Sequence, residues 1–229
     1  MPPVYDAERA AGYDAHVRRI SPGYEVLHSL VVDTLRNALG ASAHLLIVGA
    51  GTGAEVERLG RAMPRWRFTA VDPSGDMLAV CRARADAAGL GDRVAYVEGT
   101  TDAAPAGPYD AATSICVAHF VLELEARKSY FRAVADRLRP GGLLVPADLF
   151  RPTTDDEALA SLMAVWRRTV LDAGMSEEDT DAFFGRVERM VRLADEETLA
   201  GEFTTAGFGP RTRFYQSLLW GAWTATRQP

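Results

Sequence analysis

Apolar positions along the chain fall into short uninterrupted runs that alternate with longer stretches of helical spacing. Leu45, Leu46, Ile47 and Val48 form one such run, which predicts a strand buried on both faces. Further runs predict strands over residues 68–71, 94–97, 109–117 and 143–149. Tyr24, Leu27, Val31, Val32, Leu35 and Leu39 recur at helical spacing ahead of Gly40. Helices are predicted through Glu55, Val56 and Leu59, from a Ser74 cap with Met77, Leu78 and Cys81 facing inward, and over residues 126–138. Gly89-Leu90-Gly91-Asp92 and Arg139-Pro140-Gly141-Gly142 read as breaks. The alternation predicts a parallel sheet covered by helices on both faces.

After residue 150 the pattern changes. Leu159, Leu162, Met163, Trp166 and Val170 form one helical stripe, and Phe183, Phe184, Val187, Met190 and Val191 form another. Gly174 ends the first and Ser176 caps the second, with no strand between them, so residues 151–195 read as an inserted helical lid. Asp195 caps a helix running to Ala206-Gly207. Residues 212–218 and 220–226 predict two closing strands, with Gly221 as the turn signal. Residues 1–40 read as a helical cap. The 229 residues are expected to form one domain with an insertion rather than two domains.

The candidate chemistry begins where the first strand ends, at Gly49-Ala50-Gly51-Thr52-Gly53. Three glycines in five residues let the backbone turn sharply and approach a ligand with no Cβ in the way. Asp72, at the end of the next strand, can take both hydroxyls of a ribose. Glycine loop plus acid describes a nucleoside cofactor site. Gly-Ala-Gly-Thr-Gly-Ala also satisfies the dinucleotide fingerprint, but that pattern does not require Gly53. The loop begins more than forty residues into the chain, and the chain closes in two predicted strands rather than a second dinucleotide half.

Composition narrows the partners. Lys and Arg total 25 against 31 Asp and Glu, a net charge near −6, which argues against a broad nucleic-acid surface. Two cysteines, Cys81 and Cys116, with no leader-like apolar segment at the start, suggest reduced thiols in a cytoplasm. No window approaches eighteen apolar residues, so no membrane span is expected, and no ligand spacing predicts a metal.

Six segments in order, LLIVGAGTG, AVDPSGDML, VAYVEGTTDA, YDAATSICVAHFV, LRPGGLLVPADLF and FYQSLLWGAWTATR, resemble the class I S-adenosylmethionine (SAM)-dependent methyltransferases over nearly the whole chain. The resemblance implies an α/β fold: a doubly wound, mostly parallel seven-stranded sheet with a C-terminal antiparallel hairpin. It implies that Gly49, Ala50 and Gly51 wrap the methionine end of SAM and that Asp72 binds the ribose. Pro73 and Met77 would line the adenine side, Thr100 and Thr101 would edge the adenine, and Ile115 and Cys116 would face the sulfonium. Thr100 stands where many relatives carry an acid, with Asp102 two residues on.

A narrower likeness to the carboxy-SAM synthases and their methyltransferase relatives rests on RRISPGYEVLH, the lid and the closing TTAGF and FYQ segments. It implies that Tyr24 reaches the cofactor. Those synthases use an arginine of the second lid helix to grip an extra carboxylate. The corresponding position here falls on Phe184 or Gly185, beside Arg186, and Met175 replaces an expected aromatic residue. These departures favour an ordinary methyl donor.

The expected function is therefore methyl transfer from SAM to a small-molecule acceptor by in-line displacement, leaving S-adenosylhomocysteine (SAH). His119 is the candidate general base for an acceptor that arrives protonated. Tyr5, Tyr13 and His16 are read as packing or as pocket cover, and Arg18-Arg19 and Arg167-Arg168 as solvated charge or as a grip on an anionic acceptor. The competing readings are a carboxy-SAM synthase-like enzyme of tRNA wobble uridine modification, an NAD(P)-dependent oxidoreductase and a non-catalytic SAM-binding module. A homodimer through the lid or the N-terminal helices is compatible with the pattern.

Overall fold

The computed structural model describes residues 5–229. Strand β1 (His44–Val48) lies between two parallel neighbours, β2 (Arg67–Asp72) on one side and β4 (Tyr109–Ile115) on the other. Beyond β2 lies β3 (Val94–Glu98), and beyond β4 lies β5 (Leu138–Leu149). The chain closes with β6 (Thr212–Ser217) and β7 (Trp220–Thr226), and β7 inserts antiparallel between β5 and β6. The seven strands therefore run in the order β3-β2-β1-β4-β5-β7-β6. A dinucleotide-binding sheet would carry a parallel sixth strand there, so the antiparallel insertion sets this fold apart.

Alternation along the strands divides the core. Leu45 and Ile47 pack on one face with α2 (Tyr24–Ala38), α3 (Ala54–Ala62) and α4 (Gly75–Ala87). Trp166 of α6 (Asp156–Asp172) and Phe183 of α7 (Glu177–Met190) join that same cluster. Leu46 and Val48 pack on the other face with α5 (Leu124–Arg137) and α8 (Glu196–Thr205). The apolar stripes of α6 and α7 are thus part of the main core, and the Trp166 indole N–H donates to the Ile20 carbonyl at 2.6 Å. Ser74, Ser176 and Asp195 cap their helices through side-chain oxygens, as their residue types predict.

Three local expectations need correction. Strand β4 stops at Ile115, not Val117, because Cys116 takes a left-handed φ of 61°. Arg139-Pro140-Gly141-Gly142 is not a stop between elements: β5 begins at Leu138, which pairs with Tyr109, and the four residues form an irregularity within the strand. Gly221 does not turn the closing hairpin. It lies inside β7, and the reversal falls at Leu218-Leu219, with Leu218 at a φ of 52°. A Cβ at Gly221 would stand 2.7 Å from the Phe150 ring, so close packing explains this glycine.

The N-terminal helix α1 (Ala7–Ile20) lies against the glycine loop and α4. Asp14 holds it there, accepting from the Thr52 hydroxyl at 2.6 Å and pairing with Arg84 of α4. Just before α1, the Tyr5 carbonyl accepts from Ser74 Oγ at 2.6 Å.

Candidate active site

The C-terminal ends of β1, β2, β3 and β4 meet at one edge of the sheet, since Val48 pairs with both Val71 and Ser114, and Asp72 pairs with Glu98. The connections that follow β1 and β4 run toward opposite edges of the sheet, and the crevice outside such a switch point is where open α/β sheets bind ligands. The glycine loop opens there. Ala50 N–H donates to the Val71 carbonyl at 2.9 Å, and Gly51 N–H donates to Asp72 Oδ2 at 2.9 Å. Asp72 Oδ1 accepts from Ser74 N–H at 2.9 Å. Each carboxylate oxygen keeps further acceptor capacity, enough for a pair of hydroxyls. Burial to 8% exposure raises the Asp72 pKa, partly offset by these two backbone bonds.

The three loop glycines have different reasons to lack a side chain. A Cβ on Gly49 would run into Val117, and one on Gly53 would lie 2.6 Å from the Cys81 sulfur. Gly51, at a φ of 52°, has only the Gly49 carbonyl, 3.9 Å away, near its Cβ position, so a ligand can approach the backbone there.

The other expected cofactor residues border the same edge. Met77 is buried in the first turn of α4, and Pro73 is exposed. Thr100 is exposed, while Thr101 is buried with no partner for its hydroxyl. Tyr24 starts α2, buried, with its ring centroid 4.4 Å from that of His28. Ile115 ends β4, and Cys116 N–H donates to the Ala147 carbonyl at 2.6 Å. Burial, and secondarily Asp148, push the Cys116 thiol above its usual range, so it stays protonated.

Beside this edge lies a cavity of about 440 Å³ walled by α1, α7 and the ends of β4 and β5. Of the expected site residues it gathers Cys116 and His119. Gly49, Ala50, Gly51, Asp72, Pro73, Met77, Thr100, Thr101, Tyr24 and Ile115 are not in its wall. Tyr5, Tyr13 and His16 do line it, with Trp220, Phe183 and Phe120. Burial raises the pKa of Tyr13 and of Tyr5, so both phenols are neutral. Burial, then the charges of Arg186 and Arg19, lower that of His16.

His119 sits in the short 3₁₀ turn Ala118–Phe120, only 2% exposed. Its Nδ1 lies 2.8 Å from Asp148 Oδ1, and the same oxygen accepts from the His119 backbone N–H at 3.1 Å. Leu149 N–H is 3.4 Å from Nδ1, too long to compete with a carboxylate, so the hydrogen bond assigns the proton to Nδ1. Nε2 is then free to accept. Asp148 was not foreseen. Its sequence signal was an acid inside the apolar run of residues 143–150, a place where unpaired charge is not tolerated. The turn is held from behind by Arg127, 1% exposed, which donates to the Ala118 carbonyl and to both oxygens of Glu202 at 3.0 Å.

A profile described as "Methyltransferase domain" matches residues 46–144, which span the glycine loop, Asp72 and the tip of β4. The matched residues carry a methyltransferase domain, and the similarities of the whole chain support the class I SAM-dependent kind. Among curated class members it is 26% identical over 217 residues to a carboxy-S-adenosyl-L-methionine synthase of Aeromonas salmonicida, covering 92% of this chain and 85% of that protein. It is 24% identical over 206 residues to the ubiquinone/menaquinone biosynthesis C-methyltransferase UbiE of Hahella chejuensis, covering 89% and 81%. An O-methyltransferase family protein from Burkholderia thailandensis shares the fold at a TM-score of 0.65 and 15% identity, over 98% of this chain and 61% of that one. This methyltransferase chain thus spans about three-fifths of that solved structure. Among the described residues no helix is long and apolar enough to cross a membrane, and no cluster of three or more ligating side chains could hold a metal.

Proposed function

We propose that the protein methylates a small molecule held in the α1–α7 cavity, with SAM bound along the neighbouring sheet edge. The observation that carries this reading is the position of Cys116: it directly follows the end of β4 at the sheet edge that carries the glycine loop, and it also lines the cavity that contains His119. Gly49, Ala50 and Gly51 would hold the amino-acid end of the cofactor, Asp72 the ribose, Met77, Pro73, Thr100 and Thr101 the adenine, and Tyr24, Ile115 and Cys116 the sulfonium side. The uncrowded backbone at Gly51 and the spare acceptor capacity of Asp72 support that assignment. SAM supplies an electrophilic methyl group and leaves as SAH.

The protein's own contribution is position and proton handling. Tyr13, Trp220 and Phe183 provide apolar walls that exclude water and orient an acceptor. Asp148 fixes the His119 ring and its tautomer, so that Nε2 takes a proton from a hydroxyl or amine acceptor. Calorimetry with SAH tests cofactor binding, and mass spectrometry of candidate acceptors incubated with SAM tests transfer. Absence of any SAH heat from folded protein overturns the reading.

The same proposal treats residues 1–229 as one domain, with 1–40 as cap and 151–195 as lid, in a cytoplasmic protein. The two free cysteines support the compartment. Exposed Val26 on α2 and Val165 on α6 support a homodimer, which sedimentation equilibrium tests. A second reading, synthesis of a carboxylated SAM, draws on Arg186 in the cavity wall. The mass of ligand carried through purification separates the two.

A further inference from the structure

The chain carries more acid than base, yet no Asp or Glu lines its main cavity, whereas Arg9 of α1 and Arg186 of α7 both do. Three of the other four arginines that were candidate anion grips are already engaged, and the fourth, Arg19, lines a separate recess instead. Arg18 pairs with Glu25, Arg167 with Glu177 and Asp181, and Arg168 with Asp172. Arg9 and Arg186 have no ion-pair partner among the described residues. His16 lines the same wall, and its pKa is lowered first by burial and then by the charge of Arg186. Asp179 lines a separate recess of about 210 Å³ on the far side of Arg186 and His16, and there it accepts from the Ser176 hydroxyl.

Arg9 and Arg186 both line an aromatic-walled cavity and both lie near enough to Tyr5 for their charges to act on its phenol, and His119, backed by Asp148, lies in the same wall. We propose that the methyl acceptor is a small aryl or alkyl oxyanion, seated with its carboxylate or phosphate between Arg9 and Arg186 and its body against Trp220, Phe183 and Tyr13. Planar guanidinium groups bind either oxyanion through paired hydrogen bonds. Both arginines sit at the exposed mouth, so they act in orienting and selecting the acceptor, and salt weakens their effect. Because α1 carries Arg9 and α7 carries Arg186, the anion would also tie the two helices together across the opening.

The inference rests on the proposed methyl transfer, so the test begins with protein shown by calorimetry to bind SAH. Silence at that step refutes the function; the steps after it address the acceptor alone. SAH-loaded protein is titrated at low salt with hydroxyaryl carboxylates of graded length, their methyl esters and the matching aryl phosphates. At least one anion is expected to bind about tenfold or more tightly than its ester. The Arg9→Gln/Arg186→Gln protein should lose that preference while keeping its SAH affinity, and Arg9→Lys/Arg186→Lys should retain part of it. Whether carboxylate or phosphate binds more tightly identifies the oxyanion. Equal binding of esters and anions overturns the proposal, as does failure of every anion to bind. Loss of SAH affinity in the Gln variant also overturns it, by assigning the arginines to the cofactor.

Discussion

Asp148 Oδ1 lies 2.8 Å from His119 Nδ1, behind the cavity wall that His119 lines, both side chains almost wholly buried. The pair joins the end of β5 to the turn after β4. It holds a histidine in one tautomer beside the place where an acceptor would sit. His119→Ala is expected to lower the rate of transfer to a protonated acceptor by about a hundredfold or more, with SAH affinity unchanged. Asp148→Asn keeps the shape but no longer selects the tautomer, so it should lower the rate and alter its pH profile. A His119→Ala protein with wild-type turnover would remove the general base from the mechanism.

The glycine loop allows a sharper comparison. A Cβ at residue 51 meets only the Gly49 carbonyl, at an ordinary contact distance of 3.9 Å, so Gly51→Ala should cost about 1–2 kcal/mol for its left-handed φ and weaken SAH binding severely. Gly53→Ala places a Cβ against Cys81 in the core, so it should lower the melting temperature further. Parallel thermal melts and SAH calorimetry check both. Equal loss of SAH binding at equal stability would erase the distinction.

Glu55, in the first turn of α3, has a pKa raised by burial to about 7 from 4.5, with one carboxyl oxygen unpartnered. Its folded-state value lies above the unfolded one. The stability it allows is therefore complete below about pH 4.5 and is lost as pH rises through 7. His28, on α2, is the opposite case, lowered to about 4 by burial. Its stability is complete above 6.5 and is lost as pH falls through 4. The two oppose each other, so the wild-type curve alone hides both. Glu55→Gln should gain roughly 3 kcal/mol relative to wild type between acid pH and about pH 8. Chemical denaturation at both ends of the range measures it, and a pH-independent difference refutes the assignment.

Arg127 and Glu202 form an ion pair at 1% exposure each, packed behind the turn that carries His119. Arg127→Met leaves the Glu202 carboxylate buried without its main partner and should cost about 3–5 kcal/mol. The double variant Arg127→Met/Glu202→Leu should recover most of that stability. Transfer rate should recover less, since the Ala118 carbonyl next to His119 still lacks its donor. Full recovery of both would show that the pair is structural only.

Much of the candidate site's framework was legible in the chain because it depends on local rules. The run Leu45–Val48 had to be a buried strand, and Gly51 and Asp72 followed from strand ends that periodicity locates. The errors were equally local. Gly221 looked like a turn because glycine often is one, but Phe150, a residue of another segment, is what leaves it no room. The Arg-Pro-Gly-Gly segment looked like a stop because its residues favour turns, but strand pairing with β4 absorbs it as an irregularity.

By itself the sequence determined the strand and helix succession, the glycine bend and the acid that meets it, since these rest on spacing and on backbone preferences within a few residues. Only the tertiary structure decided that Asp148 serves His119, that Arg9 and Arg186 face one cavity while other arginines pair at the surface, and that α6 packs into the core. Those outcomes depend on side chains brought together across the fold, and no local pattern encodes which charge will find a partner and which will be left facing a ligand.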